Sequence, residues 1–177
     1  AQLAGVLTHA GQSYDVDGAD AIRAVAAAER DGAVRAAERI RAAGIACDEV
    51  SIGSTPTCVL GEDFSGVTEV RPGNYMFFDL SMVSRGVCAI EDIALSVLTS
   101  VIVRQPGTPR VLVDAGALAM SKDGGVAADG YGYGALRTIE NAAMGDCIVE
   151  KVSQEQGWLG TRRGPLDMDA FWIGERF

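Results

Sequence analysis

The sequence predicts an α/β fold whose first half carries a parallel sheet and whose second half is mostly β. Three observations predict it. Short apolar runs alternate with one long helical pattern in the first half, glycine turns follow directly on those runs, and strand-like runs with glycine-rich turns fill the remainder. At 177 residues and 48% hydrophobic content, the chain can bury the core of one domain, or of two small ones sharing an interface.

The first strand is read over residues 3–9, from the apolar Leu3-Ala4-Gly5-Val6-Leu7-Thr8. The polar loop Gly11-Gln12-Ser13-Tyr14-Asp15 leads to Asp17, a side chain suited to cap a helix that runs to about Ala43 and stops at Gly44. Within it, Ile22, Val25, Gly32, Ala36, Ile40 and Ala43 form a narrow apolar stripe for close packing on a sheet, with Arg23, Arg30, Glu38 and Arg41 on the other side. Val50-Ser51-Ile52 is the second strand and runs into the turn Gly53-Ser54-Thr55-Pro56-Thr57. Val67-Thr68-Glu69-Val70 is the third and ends in Arg71-Pro72-Gly73-Asn74-Tyr75. In a parallel sheet the loops after His9, Ile52 and Val70 share one rim, where ligands of such folds sit.

The second half changes period. Ile93, Leu95, Val97, Val101 and Val103 alternate over a length that predicts a long strand, and Val111–Val113, Ile148–Val152 and Trp158-Leu159 continue the pattern. A domain of residues 1–84 followed by a β-rich domain of residues 85–177 is the expected organisation. The chain opens without Met on an apolar strand and closes on a run, residues 171–177, that reads as a strand just starting. Both ends are expected to have neighbours missing from this chain, because an apolar edge is otherwise a liability.

A formal net charge of -9, with Lys122 and Lys151 the only lysines, excludes the clustered cations that nucleic acid or an anionic membrane requires. Cys47, Cys58, Cys88 and Cys147 form no C-x-x-C pair, so they read as buried free thiols rather than a zinc site or disulfide framework. With no spanning run or secretory leader, the expectation is a soluble cytoplasmic protein. The two glycine turns combine close backbone approach with Ser, Thr and amide donors, which is anion-site chemistry.

Several blocks together resemble one family. They are Thr8-His9-Ala10-Gly11-Gln12-Ser13-Tyr14, the Ala/Arg/Glu helix, residues 50–57, Thr68-Glu69-Val70-Arg71-Pro72-Gly73-Asn74-Tyr75-Met76-Phe77-Phe78-Asp79, Glu91-Asp92-Ile93-Ala94-Leu95, residues 113–123 and Ser153-Gln154-Glu155. In this order they resemble the D-threonine aldolase and D-serine dehydratase family, of the alanine-racemase-like, fold-type III group of pyridoxal-phosphate enzymes. The resemblance covers nearly the whole chain. It implies the C-terminal part of a TIM-like (β/α) barrel followed by a mostly β domain.

The same resemblance implies that Ser54, Thr55, Gly73 and Asn74 hold the phosphate of pyridoxal 5'-phosphate, and that His9 lies beside its pyridine ring. It places Tyr14 or Arg71 against the ring nitrogen, a choice the sequence leaves open. The Schiff-base lysine and the metal ligands of the family lie upstream and downstream of this chain, so the catalytic lysine is absent. Lys122, in the polar turn Ser121-Lys122-Asp123-Gly124-Gly125, reads as a surface residue. Gln156 stands where the family usually has histidine and cannot serve as acid, base or ligand near neutrality.

The implied function of the intact protein is that of a pyridoxal-phosphate and divalent-metal (Mn, Mg or Zn) dependent lyase. Its implied substrate is a small D-3-hydroxy amino acid, and its implied state a homodimer. The Thr8–Tyr14 block and the long helix favour retro-aldol cleavage to glycine and an aldehyde. The alternative is a D-serine or D-hydroxyaspartate dehydratase giving a keto acid and ammonia. Readings from other classes are a non-catalytic pyridoxal-phosphate carrier, an inactive fragment, and an interaction module built on the acidic β domain.

Overall fold

The computed structural model describes residues 2–105, 107–123 and 130–177, which form two compact units, Ala1–Ala94 and Leu95–Phe177. The first unit is α/β. Strands β1 (Gly5–Leu7), β2 (Glu49–Ile52) and β3 (Glu69–Val70) lie in that order in a parallel sheet. Because all run the same way, the segments after Leu7, Ile52 and Val70 emerge at one edge, as the sequence predicts. Thr68 supplies part of the ladder with its side chain, its Oγ1 accepting the Val50 N–H at 2.8 Å.

Helix α1 (Ala19–Ala42) covers one face of this sheet. It is preceded by Gly18, not capped by Asp17, and no side chain caps its start. Gly44, with φ near 78°, ends it, while the Ile45 N–H reaches back to the Ile40 carbonyl at 3.2 Å. The buried stripe is Ile22, Ala26, Glu29, Ala33 and Ala37. It differs at nearly every position from the expected stripe, since Val25, Gly32 and Ala36 lie off it. Small alanines let the helix approach Cys47, Val50 and Ile52. Leu7 is 66% exposed, so the apolar first strand is not buried along its whole length. Val6, Val50 and Ile52 face α1, so strand alternation turns Leu7 and its pair Ser51 to the opposite face.

Helix α2 (Thr55–Leu60) follows β2, where the sequence suggests only a turn. Helix α3 (Leu80–Ser84) is capped by Asp79, whose Oδ1 accepts the Met82 N–H at 2.9 Å. The expected domain boundary before residue 85 differs from the observed division after Ala94. Val87 packs with Ile22 and Met82, and the Ala94 N–H bonds the Phe77 carbonyl at 2.8 Å, so residues 85–94 stay with the first unit.

The second unit is an antiparallel sheet in the order β4-β5-β8-β7-β6, with β4 Val101–Gln105, β5 Arg110–Val113, β6 Gly134–Arg137, β7 Ala143–Val152 and β8 Gly157–Thr161. Short helix α4 (Ala117–Met120) follows β5. Val101, Val111, Val113, Leu136, Val149, Leu159, Phe171 and Phe177 make its core. The expected strand from Ile93 to Val103 is largely absent, for only Val101 onward is strand. Leu95 and Leu98 are exposed, and residues 99–101 bond instead to the final segment, with Thr99 and Phe177 exchanging backbone hydrogen bonds of 2.9 Å. That final segment is not a full strand but an isolated bridge between Ser100 and Arg176. Among the described residues, no helix is long and apolar enough to cross a membrane.

Candidate active site

At the rim of the parallel sheet, the loops after β1, β2 and β3 are tied together by a dense set of hydrogen bonds. Gly53 sits where β2 passes β3: a Cβ there would lie 2.7 Å from the Arg71 backbone nitrogen and oxygen, so only glycine permits this approach. The next residue, Ser54, caps α2. Its hydroxyl accepts the Thr57 N–H at 3.3 Å, and Thr57 Oγ1 accepts the Ser54 N–H at 3.3 Å, a reciprocal capping box with Pro56 in the first turn. Thr55 Oγ1 accepts the Asn74 N–H at 3.0 Å, joining the loop after β2 to the loop after β3. Gly73 sits beside it: a Cβ there would lie 3.7 Å from Thr55 Oγ1.

Ser54, Thr55, Gly73 and Asn74 are therefore neighbours on one rim. By accepting from Asn74, Thr55 keeps its own hydroxyl hydrogen for another acceptor. The Asn74 side chain is turned to Asp79, its Nδ2 donating to Oδ2 at 2.7 Å. Backbone amides, small residues and a threonine hydroxyl at one edge fit a phosphate monoester.

The third loop brings His9 and Tyr14 to the same edge. His9 Nδ1 lies 2.7 Å from the Gly53 carbonyl oxygen. A carbonyl only accepts, so the ring hydrogen sits on Nδ1 and Nε2 is the nitrogen left for another partner. The His9 and Tyr14 rings stack with centroids 6.3 Å apart and an interplanar angle of 27°. Arg85 holds Tyr14 from behind: its Nη2 donates to the Tyr14 carbonyl at 2.6 Å, and its guanidinium lies 5.6 Å from the ring centroid. Ser13, fully buried, hydrogen-bonds Ser54 Oγ at 2.9 Å.

Arg71 works beneath the rim. Its Nε donates to Ser51 Oγ at 2.7 Å and its Nη2 to the Thr8 carbonyl, with Glu69 beside Nε at 3.5 Å. It joins the ends of all three strands.

Glu29 is the site residue that the sequence analysis missed. It is buried on α1, and its Oε1 accepts the Thr8 hydroxyl at 2.9 Å and the Gly53 N–H at 3.1 Å. Its Oε2 accepts the Thr57 hydroxyl at 3.0 Å. Cys58, on α2, is half-buried, and burial pushes its thiol up, more than the Ser54 and Arg71 backbones draw it down; this is not the environment of a reactive thiolate. All of Cys47, Cys58, Cys88 and Cys147 are free, and only Cys47 is fully buried.

In the second unit Lys122 is exposed, in a turn closed by the Asp123 N–H donating to Ser121 Oγ at 3.2 Å; Gly124 and Gly125 lie outside the described residues. Gln156 closes the β7–β8 turn, its carbonyl accepting the Ser153 N–H at 2.8 Å. It lines a depression of about 390 Å³ with Asp114 and Glu155. Among the described residues, no group of three or more His, Cys, Asp or Glu is placed to hold a metal ion.

Residues 1–81 match the family model of the alanine racemase N-terminal domain, and residues 94–177 that of the putative serine dehydratase domain. The chain belongs to the alanine-racemase-like D-serine dehydratase family. Members similar to it include the D-threo-3-hydroxyaspartate dehydratase of Delftia sp. (strain HT23), 47% identical over 99% of this chain and 46% of that protein. The D-serine dehydratase of Dictyostelium discoideum is 33% identical over 99% of this chain and 46% of that protein. A solved structure of the Delftia dehydratase superposes with a TM-score of 0.92, at 46% identity, over 98% of this chain and 47% of that one. A D-threonine aldolase structure from Filomicrobium marinum, at 23% identity and a TM-score of 0.66 over 98% of this chain and 43% of that one, shares the fold. The chain thus spans about half the length of its dehydratase family relatives.

Proposed function

We propose that the protein containing this chain is a pyridoxal-phosphate and divalent-metal dependent lyase that dehydrates small D-3-hydroxy amino acids to a keto acid and ammonia. D-threo-3-hydroxyaspartate is the leading substrate and D-serine the second. The observation that carries this reading is the 47% identity to a D-threo-3-hydroxyaspartate dehydratase across 99% of the chain, rim included. It replaces retro-aldol cleavage as the favoured reaction, because the aldolase similarity is only 23%. On this reading the first unit is part of a TIM-like barrel, supported by its parallel strands and shared rim. The cytoplasmic homodimer belongs to the same proposal.

Ser54, Thr55, Gly73 and Asn74 would hold the cofactor phosphate, with His9 and Tyr14 beside the ring. Tyr14 is the better candidate of the two for the ring region, since Arg71 is engaged by Ser51 and Thr8. When bound, pyridoxal phosphate supplies an electron sink for the bond broken at Cα. The chain's own residues orient it: the joined loops fix the phosphate, and His9 presents Nε2 at the rim because Nδ1 is committed to Gly53.

The test is to incubate full-length protein with D-threo-3-hydroxyaspartate, D-serine and D-threonine and to measure keto acid, ammonia and glycine. Keto acid and ammonia from the first two are expected, with activity lost on chelation. Glycine and acetaldehyde from D-threonine as the dominant products would overturn it.

A further inference from the structure

Glu29 is a carboxylate buried in an alanine-rich helix stripe, without a cation bonded to it among the described residues, and it takes one hydrogen bond from each of three segments. Thr8 comes from the end of β1, Gly53 from the loop after β2, and Thr57 from the first turn of α2. A buried carboxylate tolerates this setting only if donors satisfy it, and here both oxygens are used. The contact also dictates the direction of neighbouring hydroxyls. Thr57 gives its single hydrogen to Glu29, so towards Ser54 its Oγ1 can only accept, from the Ser54 N–H at 3.3 Å and from Ser54 Oγ at 2.9 Å. Ser54 Oγ in turn accepts the Thr57 N–H, and Ser13, buried against it, completes the chain.

We infer that Glu29 is a positioning residue for the phosphate group of the ligand. It locks the loop of Gly53 and Ser54 against β1 and α2, and through Thr57 it fixes the direction of the Ser54–Thr57 hydroxyl pair. The inference rests on the proposed phosphate-binding role of this rim. It is not a charge effect, because a carboxylate near a bound phosphate opposes it by like-charge repulsion. What Glu29 contributes is preorganisation: loop atoms already at their bonded positions need not be ordered when the anion arrives.

Geometry and charge are separable by substitution. Glu29→Asp keeps the charge but withdraws the carboxylate by one methylene, so it cannot reach all three donors. Glu29→Gln keeps the reach and loses the charge. Binding of pyridoxal phosphate and of pyridoxal, which lacks the phosphate, is measured by absorbance titration of full-length protein stripped of cofactor. Glu29→Asp is expected to weaken pyridoxal phosphate binding about tenfold while leaving pyridoxal binding unchanged, and Glu29→Gln to weaken it less. Thr8→Val, which removes one donor at the rim, is expected to weaken it about threefold and serves where Glu29→Asp does not fold. Unchanged pyridoxal phosphate binding in Glu29→Asp, or in Thr8→Val where that variant carries the test, overturns the positioning role. So does an equal loss for both ligands. If wild-type protein itself binds the two ligands alike, the phosphate-site reading fails, and the role of Glu29 with it.

Discussion

The Asn74 backbone N–H donates to Thr55 Oγ1 across 3.0 Å, and this one bond couples the loop after β2 to the loop after β3. Thr55 is 1% exposed, and the bond it makes to Asn74 is part-buried. Thr55→Val would keep the volume and leave the Asn74 backbone donor unpaired at a part-buried position. A loss of about 1–3 kcal/mol is expected, read by denaturant unfolding of the full-length protein, together with weaker pyridoxal phosphate binding. A variant as stable as wild type would show that the two loops are not coupled through this pair.

Gly53→Ala is expected to be more damaging at the rim than its size suggests. The added carbon would lie 2.7–2.9 Å from three backbone atoms of Arg71, none of which can rotate away. The β2–β3 contact must open, and with it the Glu29–Gly53 bond. Amide hydrogen exchange should report faster exchange at Arg71 and Thr8, whose amides bond Ile52 and Ser51. Protection equal to wild type would contradict the close approach.

The β-rich unit has its own keystone. Phe171 is fully buried and meets Phe177 edge-on, with centroids 5.7 Å apart and an interplanar angle of 62°. Phe171→Ala removes that contact and opens a cavity, at an expected cost of about 3–5 kcal/mol. Calorimetry of the full-length protein should show the loss, and a shift under about 1 kcal/mol would mean that the unit repacks.

Acid sensitivity has an identifiable contributor. Asp114 accepts the Ser100 N–H at 2.7 Å and the Thr99 hydroxyl at 2.9 Å, and the Ser100 backbone bond chiefly holds its carboxyl below the usual value. A carboxyl depressed in the folded state stabilises fully above its unfolded pKa, and the contribution disappears as pH falls through the lower folded value. Stability of wild type should therefore decline below about pH 4 more steeply than that of Asp114→Asn, compared by denaturant midpoint across pH. Parallel curves would remove Asp114 from the account.

Much of the first unit is legible in the sequence because its elements are marked by local chemistry. Gly44 ends α1 by adopting a left-handed conformation, and the glycine turns after Ile52 and Val70 mark where strands stop. The helix face is not legible to the same degree. In a run of alanines many stripes satisfy a helical period, and the expected one missed Ala26, Ala33 and Ala37. Glu29 was lost with them, since a glutamate among Ala, Arg and Glu reads as solvent-facing. The usable clue was its spacing of three from Ala26 and four from Ala33. The alternation at Ile93–Val103 misled because a two-residue period marks an extended chain, whether or not a partner strand is there to pair with it. Of the proposed site, the two glycine turns declare themselves in the sequence. The hydrogen bonds that join them to Ser13, His9 and Glu29 are long-range and leave no local trace.

Strand β3 has only two residues, paired as Ser51 with Glu69 and Ile52 with Val70, which is little to stop a strand from sliding. Arg71 supplies what the ladder lacks. With one nitrogen on Ser51 of β2 and another on the Thr8 carbonyl just after β1, its side chain reads the positions of both other strands of the sheet at once. A slip by one residue, about 3.3 Å, would break both contacts and carry Gly73 and Asn74 out of line with Thr55. The alignment of the rim is thus indexed by an arginine side chain, and a lysine there, with a single donor group, could not measure two strands together.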